Sequence, residues 1–260
     1  MKRTLTLAFA SVFMTGVAFA GNSNVATQDQ DGIDLEATIN QSGNSNYAEQ
    51  DQRGTNNTLN IDQSGNNNVG IQDQTDRSED GADINVDWSS TAEILQSGNN
   101  NYAEQTQSRE NKQATIDQEG NNNTAVQVQE GIQSSAEIFQ SGNNNDAVQH
   151  QNVNSDLATI DQSGNNNYAN QHQEGKRNQA SADQSGNDNV AIQTQTGSTE
   201  HDDARGYSSL EIDQSGNSNF ADQHQSATAS NAYITQAGNN NYAAQTQAGY
   251  NNTASITQGN

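Results

Sequence analysis

No proline and no cysteine occur in the 260 residues. Proline ordinarily makes up about 5% of a chain and is enriched in disordered segments. It also removes a ladder hydrogen bond from any strand that contains it. Its absence argues against a disordered linker and for continuous strand pairing. Without cysteine there is no disulfide framework, so a secreted fold must be held together some other way. Basic residues are scarce: 9 Lys and Arg stand against 32 Asp and Glu, for a formal net charge of -23. That excludes nucleic acid and anionic membrane as partners, because both need a basic surface. Hydrophobic residues make up 29% of the chain and the mean hydropathy is -1.04, too little for an ordinary globular core.

Only one long apolar run is present, from Leu5 to Ala18. Lys2 and Arg3 precede it, and Ala18-Phe19-Ala20 closes it with an A-x-A cleavage signature. This predicts a secretory signal peptide over residues 1–20, cleaved after Ala20. The mature chain, 21–260, then has no segment able to span a bilayer.

What the chain has instead is repetition. Gln30, Gln41, Gln52, Gln63 and Gln74 are spaced by 11 residues, and the series resumes at Gln96, Gln107 and Gln118 and again from Gln214 through Gln236, Gln247 and Gln258. Two interruptions, of 11 and 8 residues, fall near 75–90 and 197–207. Two kinds of unit alternate. The B unit reads S-G-N-x-N-x-A-x-Q-x-Q, as in Ser97–Gln107, and the A unit ends A-x-I-x-Q, as in Ala114–Gln118. One of each makes 22 residues, and ten such pairs fill residues 21–260.

Each unit reads as one short strand and one tight turn. Ala114, Ile116 and Gln118 are two apart and share a strand face, as do Asn101, Ala103, Gln105 and Gln107. The Gly98-Asn99 pair supplies the turn, since both residue types tolerate positive φ. Nothing recurs at a helical period. The expected fold is all-β: a two-sided β-solenoid, a cross-β stack of about ten 22-residue strand-turn-strand coils following the signal peptide.

The uniform columns are expected inside and the varied ones outside. The inward set includes Asn46, Asn68, Asn101, Asn123, Asn167 and Asn241 at one B position, with Gln50 and Gln105 at the next-to-last. The closing glutamines Gln41, Gln52, Gln63, Gln96, Gln107, Gln118, Gln162, Gln236, Gln247 and Gln258 join them. Stacked primary amides satisfy one another along the axis, as in cross-β ladders. The column Tyr47, Val69, Tyr102, Tyr168 and Tyr242 is expected outside, as a candidate for lateral contacts between rods.

Gln96, Gly98, Asn101, Ala103 and Gln107 fit the string S-x5-Q-x-G-x-x-N-x-A-x3-Q from its glutamine onward, as do Gln162, Gly164, Asn167, Ala169 and Gln173. In this the chain resembles the curlin-repeat family of curli-type amyloid subunits, and the likeness runs over essentially all of 21–260. The resemblance implies a bacterial protein secreted to the cell surface. There it would assemble with copies of itself into amyloid fibres for adhesion and biofilm matrix, helped by secretion and nucleation accessory proteins. A major structural subunit fits better than a minor nucleator, because the last coil is as regular as the rest. Neither end of the repeat region shows a polar cap of the kind monomeric solenoids need, which points to head-to-tail stacking.

Other signals carry less. Asp161, Asp183 and Asp213 stack like charges outside, which suits solubility before assembly, or else a dependence on salt or divalent cations. His150 and His172 share an outward column and more often reflect composition than a metal site. His201, Asp202, Asp203, Arg205, Tyr207 and Trp88 fall in the two interruptions. Asn56-Asn57-Thr58 matches a glycosylation acceptor but reads as turn composition. No nucleophile-base set, phosphate loop or metal-finger spacing is present, so neither an enzyme nor a cofactor is expected. The rival reading is a soluble binding solenoid, for ice or for a divalent cation. Ice binding needs a uniform outward Thr array, and a calcium roll needs a nine-residue repeat; neither is here.

Overall fold

The computed structural model describes residues 12–75, 89–196 and 207–259, with backbone alone for 12–20. Twenty-one strands follow one another. They begin with β1 (Val12–Ala20), β2 (Val25–Ile33), β3 (Leu35–Asn44), β4 (Tyr47–Thr55), β5 (Thr58–Asn66), β6 (Val69–Thr75) and β7 (Thr91–Asn99). Then come β8 (Tyr102–Ser108), β9 (Gln113–Asn121), β10 (Thr124–Gln129), β11 (Ser135–Asn143), β12 (Asp146–Gln151), β13 (Leu157–Asn165) and β14 (Tyr168–Glu174). The last are β15 (Asn178–Asn187), β16 (Val190–Thr196), β17 (Ser208–Asn217), β18 (Phe220–Thr228), β19 (Asn231–Asn239), β20 (Tyr242–Tyr250) and β21 (Thr253–Gly259).

Odd-numbered strands form one sheet of 11 and even-numbered strands a second sheet of 10. The odd strands after β1 are the A units and the even strands are the B units. Each strand therefore pairs with the strand two further on, in parallel and in register: Ile116 lies on Ile138, Gln118 on Gln140, Gly120 on Gly142. This is the two-sided solenoid of ten coils, roughly 48 Å long at strand spacing. No helix occurs among the described residues, and none is long and apolar enough to cross a membrane. The two interruptions alter the sequence offset but not the stack. Gln63 meets Gln96 across 33 residues, and Gln184 meets Gln214 across 30.

The core is thin. Ile39, Ile61, Ile94, Ile116, Ile138 and Ile160 line one wall, and the Ala column from Ala48 to Ala243 faces them. Each buried isoleucine contributes about 2 kcal/mol by removal from water. Period-2 alternation produces this wall directly: buried and less buried positions alternate from Ser135 to Gln140 in β11 and from Leu157 to Gln162 in β13. A slip of one residue would expose every member of the column.

The turn chemistry differs from expectation by one residue. Gly98 takes φ 109°, but the second positive-φ residue is Asn100, at 58°, not Asn99. Asn99 ends β7 in extended conformation and keeps its side chain in line with its neighbours. Only Gly and Asn-like residues visit this region cheaply, which accounts for the Gly-x-Asn spacing. Glycine is required for a second reason. A Cβ on Gly98 would stand 1.9 Å from the carbonyl oxygen of Gly120 in the next coil.

Val12–Ala20, expected to take no part in the fold, lies in the uncleaved chain as β1 against β3, with Val17 opposite Ile39 and Phe19 opposite Gln41. An open parallel edge accepts any strand-competent segment of adequate length, and this run is the nearest one in the chain.

Candidate assembly interface

Three glutamine columns run the length of the rod. In the first, Gln41 Nε2 donates to Gln63 Oε1 at 2.8 Å, Gln96 to Gln118 at 2.9 Å, Gln118 to Gln140 at 2.8 Å and Gln236 to Gln258 at 2.9 Å. The second links Gln50 to Gln72 and Gln105 to Gln127, both at 2.9 Å. The third links Gln52 to Gln74 at 3.2 Å and Gln107 to Gln129 at 2.8 Å. In the first two columns the other amide hydrogen crosses the core. Gln118 donates to the Tyr102 carbonyl at 3.0 Å and Gln105 to the Glu93 carbonyl at 2.9 Å. Glutamines such as Gln105 and Gln118 thus join coil to coil and sheet to sheet, which is how a polar interior avoids its desolvation cost.

The B-unit asparagines Asn46, Asn68, Asn101, Asn123 and Asn167 are also buried, but they do not form an amide-to-amide ladder, contrary to the sequence expectation. Asn101 Oδ1 accepts the backbone N–H of Asn123 at 3.0 Å, and its Nδ2 donates to the carbonyls of Ser97 and Gly120. At this corner the strand begins, so backbone groups lack sheet partners and a short amide fills them. Only Asn241, at the last corner, donates its Nδ2 to another asparagine, Asn219 Oδ1 at 3.0 Å. The side-chain asparagine ladder lies two residues earlier. Asn66 donates to Asn99, Asn99 to Asn121 and Asn121 to Asn143, at 2.8–2.9 Å. The invariance of this Gly-Asn position was a signal for it.

A second buried column was not visible in the sequence, because its residues differ. At the corner entering each A strand stand Asn57, Ser90, Lys112, Ser134, Asp156, Asn178, Ser208 and Ser230. Asp156 Oδ1 accepts the Asn178 N–H at 2.9 Å, while its Oδ2 is buried without a hydrogen-bond partner. Burial, only partly offset by backbone hydrogen bonds from Asn178 and Val153, raises its pKa to about 8. Asn56, of the glycosylation-like triplet, sits in this turn at φ 58°, and Asn57 is buried beside it.

The outer faces carry the varied residues. Tyr47 and Tyr102 are half-buried and donate to Glu49 and Glu104 at 2.6 Å; the latter bond lifts the Tyr102 hydroxyl to about 12. Tyr242 stacks on Phe220 with ring centroids 5.1 Å apart. His150 and His172 stand 5.0 Å apart, and His172 meets Glu174 at 2.9 Å. Among the described residues no three His, Cys, Asp or Glu are grouped to hold a metal ion. Asp161, Asp183 and Asp213 stack directly; burial first, then its two neighbours, raises the Asp183 carboxyl. Trp88, His201, Asp202, Asp203 and Arg205 lie outside the described residues. Tyr207 is exposed where the chain re-enters β17.

A parallel, in-register stack bonded along its axis by interior amides defines a class: repeat proteins of cross-β architecture, whose end coils present the same edges that their interior coils pair. The curlin associated repeat model matches residues 32–65, which take in β3, β4 and all but the last residue of β5. This match supports the likeness to the curlin-repeat family, whose members are structural amyloid subunits. No curated relative matches the chain.

Proposed function

We propose that the chain is the major structural subunit of a curli-type fibre. It is released by cleavage after Ala20, exported to the bacterial surface and stacked head to tail into extracellular amyloid for adhesion and biofilm matrix. One observation carries this reading. The unit that matches the curlin repeat recurs ten times without loss of register, and the outer edges of β20 and β21 have no strand partner among the described residues. An edge identical to those already paired nine times over is a template for another copy. The regularity of the last coil, where Ile256 and Gln258 continue their columns, favours a main subunit over a specialised nucleator. The ladders at Gln96, Gln105, Gln107, Gln118 and their equivalents are the residues that transmit register from copy to copy. The acidic outer face keeps the chain soluble until it meets an edge.

Seeded fibrillation tests this. Purified 21–260 should convert to fibres after a lag, and sonicated fibres should abolish the lag for fresh protein. Protein that stays monomeric with seeds present contradicts the proposal.

A further inference from the structure

The glutamine columns have a direction. In all three, Nε2 of one coil donates to Oε1 of the coil nearer the C-terminal end, as at Gln28 to Gln50, Gln30 to Gln52 and Gln41 to Gln63. The same sense holds at the other end, at Gln223 to Gln245, Gln225 to Gln247 and Gln236 to Gln258. The first coil is therefore left with outward acceptors. Oε1 of Gln30 and of Gln41 is buried and has no hydrogen-bond partner. The last described coil is left with donors. Nε2 of Gln247 and of Gln258 each gives one hydrogen across the core, to the Asn231 and Tyr242 carbonyls, and retains a second.

We infer that the rod has an acceptor end and a donor end, and that a second copy of this chain docks in one polarity only. Gln258, Gln247 and Gln245 of one copy donate to Gln41, Gln30 and Gln28 of the next. The junction continues the interface between coils. Opposed donor ends set N–H against N–H, and opposed acceptor ends set oxygen against oxygen, three times over in each case. Each such mismatch leaves buried amide groups unpaired, which proteins rarely tolerate. In the uncleaved chain β1 covers the odd-numbered-sheet half of the acceptor end, with a phenylalanine rather than a glutamine in register with Gln41. That chain keeps its donor end and has a blocked acceptor end.

This rests on the self-stacking proposed above, and its test separates the two. Immobilised seeds of 21–260 are extended with labelled 21–260, and each end is followed by fluorescence microscopy. The triple variant Gln245→Glu, Gln247→Glu, Gln258→Glu keeps the oxygens that accept from Gln223, Gln225 and Gln236 but loses the outward donors at neutral pH. It should dock once on the donor end of each seed and stop growth there, leaving the other end growing at the wild-type rate. The uncleaved chain should stop the opposite end. Label from each blocker should sit at one end of each seed, which also shows that the blocker folded. Blocking of both ends by either preparation, or of neither end by both, overturns the polarity. Seeds that wild-type protein fails to extend would instead overturn self-stacking itself.

Discussion

Asn101 Oδ1 accepts the backbone N–H of Asn123 at 3.0 Å, and Asn123 repeats the bond to Asn145 at 3.0 Å. Asn123 Nδ2 also donates to the carbonyls of Glu119 and Gly142. One short amide thus fixes its own turn and ties it twice to the next coil. Asn123→Asp keeps the shape but turns two donors into acceptors facing carbonyls. Each buried group left unsatisfied costs about 1–3 kcal/mol, so the variant should lose about 3 kcal/mol or more. The midpoint of unfolding in guanidinium checks this, and an unchanged midpoint would mean that the corner bonds carry no net stability.

Gly98 is held by its conformation and by its neighbour. Gly98→Ala places a side chain at φ 109°, with its Cβ 1.9 Å from the Gly120 carbonyl oxygen. Backbone strain of this kind costs about 1–3 kcal/mol by itself, and the clash with main chain adds to it. Hydrogen exchange should show protection lost first in β7 and β9. Gly70 lies in a strand without positive φ, and a Cβ there meets side-chain atoms at 3.1 Å or more. Gly70→Ala, which restores the alanine found at that position in nine of the ten B units, should be tolerated.

Asp156 makes stability depend on pH. Its ordinary pKa of 3.8 is raised to about 8 in the fold, chiefly by burial. The folded state therefore favours the protonated acid. Its full stability is present below about pH 4, declines as pH rises and levels off above about pH 8. The neutral residues Ser134 and Asn178 flank it in the corner column, and Lys112 lies two coils below. Asp156→Asn should remove the penalty, on the order of 4 kcal/mol at pH 7, and flatten the pH profile between 4 and 8. A variant with the wild-type pH slope would show that another group titrates.

The stacked Asp161, Asp183 and Asp213 repel one another, and the Asp183 carboxyl is raised by burial and then by these two. A raised carboxyl costs stability when ionised and recovers it as pH falls toward the carboxylate range. Added salt should act in the same direction by screening. The lag before assembly should shorten with sodium chloride, and Asp183→Asn should weaken that dependence. With no metal-holding group among the described residues, calcium at matched ionic strength should do no more than sodium. A specific calcium effect would point to an ion site elsewhere.

The uniform columns made the fold readable in the sequence. Ile116, Gln105 and Gln118 recur at one phase, and only a coil stacked on its own copies gives equal surroundings to equal residues. Their burial and their glutamine ladders followed from strand alternation and amide chemistry. Alternation puts Asn101 on the correct face, but spacing does not tell a side-chain acceptor from a backbone one at a strand start. The Gly98-Asn99 pair points to Asn99 as a turn residue, yet it sits one residue before the left-handed position and forms its own ladder. The corner of Ser90, Lys112 and Asp156 was hidden because the column varies in type. Its burial comes from how the chain bends there, which no residue pattern announces. Nor does composition say that β1 will occupy an open edge.

The central claim is that the amide-bonded stack continues from one copy to the next. Fibre diffraction from aligned fibres of 21–260 tests it most directly. The account predicts a meridional reflection near 4.7–4.8 Å from strands perpendicular to the fibre axis, with an equatorial reflection near 10 Å from the facing sheets. Fibres lacking the meridional reflection, or carrying it on the equator, would contradict stacking along the rod axis.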